Sequence, residues 1–378
     1  VPSFVMPNLY KLADTNYSSN HVYMVDGSPV SGDIYINSAW KTILVGGLNS
    51  GGRGYYALDI TIPESPKLLW EFSEADLGYT FGNPIITKMS NGTWVVMFSS
   101  GYNNVSPGDG NGYLYVLNAN TGAQILKLAT NVGGSAVGSA STPSGLGKLN
   151  NYVESDSDNT TQVVYGGDLL GNVWRFDINS QVKPFLEGMQ LAQLKVDNKP
   201  QPITAKPALA ELSYNGLKYK VLYIGTGKYL GTSDLANTEK QSIYALKDKW
   251  DEVGLGDVRS ASNPAMVVQT ASGTSSGNTI TGTAHPVNWT TGIGWYLDLI
   301  GSGERVNINP QLVLNALYVG TNVPNSNTCS VGGTAWLYKL DIATGSALST
   351  SPDSALAVSL GRIGAGGRFL RRHCVVGV

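Results

Sequence analysis

A short phrase returns six times along this chain. It reads Gly-Tyr-Tyr-Ala-Leu-Asp at 54–59, Gly-Tyr-Leu-Tyr-Val-Leu-Asn at 112–118 and Gly-Asn-Val-Trp-Arg-Phe-Asp at 171–177. It comes back as Ser-Ile-Tyr-Ala-Leu-Lys at 242–247, Gly-Trp-Tyr-Leu-Asp at 294–298, and Ala-Trp-Leu-Tyr-Lys-Leu-Asp-Ile-Ala-Thr-Gly at 335–345. Each copy enters on a small residue, alternates aromatic and aliphatic side chains, and most copies leave through an Asp or Asn turn. Alternation with a period of two marks a strand with one buried face. The first three copies recur at roughly 59 residues and the later ones at about 40–70, near the repeat length of a propeller blade. The phrase therefore predicts an all-β chain, a β-propeller of about six to seven blades, irregular in places.

Composition agrees with many short strands joined by tight turns. Only 14% of residues are charged, glycine is abundant at 46, and no segment carries a sustained helical apolar stripe. The propeller is expected over residues 1–360, with an irregular entry over 1–30, an inserted loop over 180–204 and a tail over 361–378. The clearest four-stranded unit spans 84–88, 94–98, 113–117 and 123–128. Its first two strands are joined by Asn91-Gly92, the preferred chemistry of a two-residue hairpin. Trp70, Trp94, Trp174, Trp295 and Trp336 fall on strand patterns and read as packing between blades.

Charge excludes one class of partner. A net charge of −2 and a pI near 6.0 give no footprint for nucleic acid, and the basic cluster Arg368, Arg371 and Arg372 reads as a solvated tail. No apolar run approaches the length of a membrane span. Residues 1–7 lack a start signal, so the sequence reads as a fragment whose N-terminal portion is missing. Cys329 and Cys374 fit either redox compartment, and the sequence leaves their pairing open. A bridge would close a loop of about 45 residues, worth ~4 kcal/mol by loop entropy.

One segment has the layout of a metal loop: Glu154-Ser-Asp156-Ser-Asp158-Asn-Thr160-Thr-Gln162. Calcium takes six to eight oxygens, and side chains at positions 1, 3 and 5 of an EF-hand-type loop converge on one centre. The expected ligands are Glu154, Asp156, Asp158, the Thr160 carbonyl and Gln162, holding calcium weakly. Position 6 is Asn159 instead of glycine, and position 9 is the neutral Gln162. The alternative is a solvated acidic turn between strands. Catalytic motifs are thin. The histidines His21, His285 and His373 lie far apart, no nucleophile-elbow motif occurs, and Gly225-Thr-Gly-Lys228 lacks the rest of a phosphate loop and reads as a strand-end turn.

Taken in order, these phrases resemble the C-terminal propeller of the PilC/PilY family, tip-associated proteins of bacterial type IV pili. The resemblance runs from His21 to about Gly345. It is carried by Val25-Asp-Gly-Ser-Pro29, Leu44-Val-Gly-Gly47, Gly51-Gly-Arg-Gly-Tyr55, Leu69-Trp-Glu-Phe72 and Asp76-Leu-Gly-Tyr79. It continues through Gly166-Gly-Asp168, Gly225-Thr-Gly-Lys-Tyr-Leu-Gly-Thr-Ser-Asp234, Gly301-Ser-Gly-Glu-Arg305 and Cys329-Ser-Val-Gly-Gly-Thr-Ala-Trp336.

The resemblance implies a non-enzymatic role in pilus assembly, in extension and retraction, and in adhesion. It implies minor pilins as partners, and a host or abiotic surface reached through a preceding von Willebrand A-like module. It implies an extracellular location at the pilus tip or cell surface after transit of the periplasm. It also implies a regulatory calcium loop at 154–162, where the family favours Asp at the first and ninth positions. No Arg-Gly-Asp tripeptide occurs. Two rival readings stand beside it. A quinoprotein dehydrogenase shares the blade repeat at 112–122 and 335–345, although the vicinal cysteine pair of many such enzymes is missing. A non-catalytic scaffold propeller resembling outer-membrane assembly factors is the other.

Overall fold

The computed structural model describes residues 1–155, 157–260, 266–273, 278–325, 333–351 and 355–362. Strands dominate. The first sheet runs β1 (Val30–Ile36), β2 (Ala39–Gly47), β3 (Tyr55–Asp59) and β4 (Lys67–Phe72), antiparallel and in chain order. The second repeats the plan with β5 (Ile85–Lys88), β6 (Trp94–Ser99), β7 (Tyr113–Asn118) and β8 (Gln124–Ala129). A two-residue ladder of β9 (Asn131–Val132) and β10 (Ser135–Ala136) leads to the third sheet, made of β11 (Leu149–Val153), β12 (Thr161–Gly167), β13 (Asn172–Asp177) and β14 (Gly188–Gln193).

After a small hairpin of β15 (Lys195–Val196) and β16 (Lys199–Pro200) comes a five-stranded sheet. Its order is β17 (Ala208–Tyr214), β18 (Leu217–Gly225), β19 (Ser242–Asp248), β23 (Gly294–Asp298) and β20 (Met266–Gln269), the last pair parallel. In the last sheet, β24 (Gln311–Val313), β25 (Ala316–Pro324), β26 (Gly333–Asp341) and β27 (Ala357–Arg362) form an antiparallel run. It is extended by β22 (Thr279–Gly282) and β21 (Ala271–Ser272). Contacts divide the chain into two compact units, Val1–Asp168 with Trp174–Gln190, and Leu169–Val173 with Leu191–Val378. Among the described residues no helix is long and apolar enough to cross a membrane.

The repeated phrase proves to be one structural position. It is β3, β7, β13, β19 and β26, in each case the third strand of a sheet, hydrogen-bonded on both sides. The copy at 294–298 differs, because β23 pairs with β19 and so lies in the same sheet as the fourth copy, with β20 beyond it at the edge. Two phrases thus share one sheet, and the described residues form five sheets of four or more strands. Within 180–204, residues 188–193 close the third sheet as β14. Within the entry segment, Ser3–Ala13 winds as a 3₁₀ helix with Val5 buried.

Tryptophans fasten neighbouring sheets by a recurring device. In the first unit, Asn118 Oδ1 accepts the amides of Asn120 and Thr121, and the turn closes with Gly122 N–H on the Asn118 carbonyl. Gly122 has φ 69°, and a Cβ there would lie 2.6 Å from Cγ of Trp70, whose indole donates to the Ala119 carbonyl at 2.9 Å. In the second unit, Asp341 Oδ1 accepts Ala343 and Thr344, and Gly345 has φ 72°. Here a Cβ would meet the Trp295 ring at 2.5 Å, and that indole donates to the Ile342 carbonyl at 3.1 Å. In both, a left-handed glycine leaves room for an indole, and the indole satisfies a turn carbonyl. Trp174, Trp289, Trp295 and Trp336 are all fully buried, and Trp174 donates to Asp168 Oδ2 at 2.8 Å.

Candidate functional site

The acidic segment follows β11, turns, and re-enters the third sheet as β12. Asp158 and Asn159 donate their amides back to the Ser155 carbonyl, and Asn159 takes the left-handed conformation at φ 50°. That turn presents the Asn159 carbonyl to the second sheet, where it accepts Lys88 N–H at 3.0 Å and Thr87 Oγ1 at 2.8 Å. Thr87 and Thr161 hydroxyls meet at 2.8 Å in a buried contact, and Thr160 pairs with Lys88 as a parallel bridge. Above this seam the Lys88 ammonium lies 2.7 Å from Asp158 Oδ1. Lys88, followed by the Thr160 side chain, holds the Asp158 carboxyl below the usual carboxylate range.

Of the expected calcium ligands, Glu154 is solvent-exposed and Gln162 stands inside β12, one residue past the buried Thr161. Asp156 lies outside the described residues, as do Cys329 and Cys374. Among the described residues no three His, Cys, Asp or Glu side chains gather in a metal-holding group. Of the expected ligand set, Asp158 pairs with the Lys88 ammonium, and the turn that carries it bonds the third sheet to the second through Asn159.

Two arginines inside glycine-rich phrases do work that spacing alone does not predict. Arg53 donates to the carbonyls of Asn103, Val105 and Pro107 at 2.7–3.0 Å, gathering the loop that links β6 to β7. Arg305, 3% exposed, donates to the carbonyls of Lys228, Asp234 and Asn237 at 2.6–3.0 Å and to Gly303 at 2.9 Å. The loop it grips runs from Lys228 to Asn237, past the phrase at 225–234, and Gly225-Thr-Gly-Lys228, expected to be a strand-end turn, instead runs on from β18 with Gly227 bridged to Ile203. Asp234 stiffens the same loop by accepting the amides of Leu230 and Gly231. A guanidinium holds five donors in a rigid fork, which suits several carbonyls converging from one loop. The signal for both lay in a lone arginine set among glycines at 51–55 and 301–305.

Beside Arg305, Glu304 is a buried carboxylate with hydroxyl donors on one oxygen, Thr321 at 2.6 Å and Tyr338 at 3.1 Å, and the Gly301 amide on the other at 2.8 Å. Burial pushes its carboxyl above the usual range, against the pull of these three donors. The arrangement stores polar contacts inside a blade. It brings no nucleophile and base together.

Comparison with known proteins agrees with the architecture. A family model described as the PilY1 beta-propeller domain matches residues 2–273. A type IV pilus biogenesis factor PilY1 homolog of Xylella fastidiosa is 32% identical over 371 residues, covering 92% of this chain and 24% of that protein. The type IV pilus biogenesis factor PilY1 of Pseudomonas aeruginosa is 32% identical over 396 residues, covering 91% of this chain and 33% of that protein. The crystal structure of the Pseudomonas aeruginosa PilY1 C-terminal domain superposes with a TM-score of 0.72 at 29% identity, covering 92% of this chain and 75% of that one. The chain thus spans a quarter to a third of the length of these curated relatives.

Proposed function

The chain belongs to the PilY1 β-propeller family, and from that membership we propose that it serves type IV pilus biogenesis as a non-catalytic docking domain. The observation that carries the proposal is likeness along nearly the whole chain, 32% identity over 92% of it to a pilus biogenesis factor together with the 0.72 TM-score to a PilY1 domain. In this reading the partners are minor pilins, the place of action is the pilus tip or cell surface, and surface attachment follows from display there. The loops gripped by Arg53 and Arg305 suit such a role, because binding residues on loops need a scaffold that fixes them. Pre-ordered loops also lose less entropy on docking.

The test is genetic. Deleting the gene in its host is expected to lower surface pili, counted after shearing, and to lower adhesion. Restoring the gene returns both. Normal piliation and adhesion in the deletion strain would overturn the proposal.

A further inference from the structure

We infer that Asn16 is the acceptor of an N-linked oligosaccharide, read together with Asp14 and Ser18. The inference rests on the surface location proposed above. Asn-x-Ser/Thr, with any middle residue but proline, is the pattern that takes such a glycan, and it has to stand on a surface loop. The pattern begins at Asn16, Asn91, Asn104, Asn159 and Asn288, and the structure separates these copies. Asn104 is buried, and so are Thr161 at the end of the Asn159 copy and Trp289 in the middle of the Asn288 copy. Asn91 Oδ1 accepts the Thr93 amide inside the hairpin that joins β5 to β6, and Asn288 Oδ1 accepts the amides of Thr290 and Thr291.

The copy at Asn16 differs in every respect. Asp14, Thr15, Asn16 and Ser18 are all exposed, on a turn that follows the Ser3–Ala13 helix. Among the described residues neither the Asn16 side-chain amide nor the Ser18 hydroxyl has a hydrogen-bond partner. The bonds of the turn are local: Asn16 N–H donates to Asp14 Oδ1 at 2.8 Å, Ser19 N–H to the Asn16 carbonyl at 2.9 Å, and the Tyr17 hydroxyl to the Val22 carbonyl at 3.2 Å. Opening it breaks no strand ladder, so the segment can enter a transferase at the low cost of local unfolding. The donor is a lipid-pyrophosphate oligosaccharide, and the catalyst an oligosaccharyl transferase of the envelope. Asn16 Nδ2 bonds to C1 of the first sugar as the bond from C1 to the pyrophosphate oxygen breaks. The lipid pyrophosphate leaves with that electron pair, and Nδ2 gives up one proton. Asp14 and Ser18 flank the acceptor two residues to either side, a carboxylate for a cation of the transferase and a hydroxyl for its hydrogen bonds. In the other copies that first place is held by Met89, Tyr102, Ser157 and Pro286, none of them acidic.

The experiment isolates the full-length protein from the envelope of its host, as wild type, Asn16→Gln, Ser18→Ala, Ser18→Thr and Asp14→Ala. Each is digested, and the peptide holding residue 16 is sequenced by mass spectrometry. Wild type and Ser18→Thr are expected to carry a sugar mass on Asn16. Asn16→Gln and Ser18→Ala are expected to carry none, and Asp14→Ala a smaller occupied fraction than wild type. All these positions are exposed, so the variants are expected to melt with wild type, and loss of sugar in them reads recognition and not folding. Unmodified Asn16 in protein taken from the envelope would overturn the inference and leave the pilus role standing. Sugar that persists in Ser18→Ala, or that sits on Asn91 or Asn288 instead, would also overturn it. Protein confined to the cytoplasm would overturn both the inference and the surface location beneath it.

Discussion

At the level of single residues the shifted carboxylates fall into two kinds. Asp59 is held at about 2 by Thr61 and Lys41, and Glu211 at about 2 by Lys218 and Lys220. Their folded values lie below the unfolded ones, so the stability they contribute is present above the ordinary carboxylate range and lost as pH falls toward about 2. Both groups are near the surface, where such pairs count for little. Glu304 runs the other way. Burial raises its folded value, so its contribution is full below the ordinary carboxylate range and declines as pH rises through the folded value. Glu304→Gln removes that titration. Urea melts from about pH 5 to 8 are expected to show wild type losing ground to Glu304→Gln as pH rises. A difference that stays flat with pH would mean Glu304 keeps its charge in the folded state.

The elements show what a strand pattern reveals and what it hides. The third strand of each sheet was legible because it is bonded on both sides and alternates buried aromatic and aliphatic residues, as Tyr55 and Ala57 do in β3. The sharing of one sheet by 242–247 and 294–298 was not, since nothing local in β23 names β19 as its partner. The lysine beside Asp158 sits 70 residues away from it, out of reach of any local pattern. A lone arginine among glycines is legible, but the backbone carbonyls that Arg53 and Arg305 grip are not.

Gly122→Ala places a methyl 2.6 Å from the Trp70 indole at a left-handed φ of 69°, whereas Gly92 has φ 84° with open space around it. Gly92→Ala is expected to cost about 1 kcal/mol for the conformation alone. Gly122→Ala is expected to cost about 2–4 kcal/mol, adding displacement of the indole and its bond to Ala119. Denaturant titration of the two variants separates the contributions. Equal losses would show that the indole moves freely.

For the whole molecule, the proposed docking role sets the question of what carries specificity. A net charge of −2 over 378 residues gives little long-range steering, and in that role the loops held by Arg53 and Arg305 are the ones expected to carry it. The two arginine clamps test this without dismantling a sheet. Lysine is a point charge on a flexible stem and cannot hold three carbonyls in a planar fork. Arg53→Lys with Arg305→Lys therefore keeps the charge, and the strands of both units are expected to form as before. The released carbonyls are expected to cost about 1–3 kcal/mol at each site. Hydrogen exchange is expected to quicken in the loops at 103–107 and 228–237 while strand amides stay protected. In the host, the doubly substituted allele is expected to accumulate normally yet give pilus numbers close to those of the deletion. Loosened loops with full piliation would mean that partners dock elsewhere, and a loss of the protein from the cell envelope would assign the clamps to folding instead of docking.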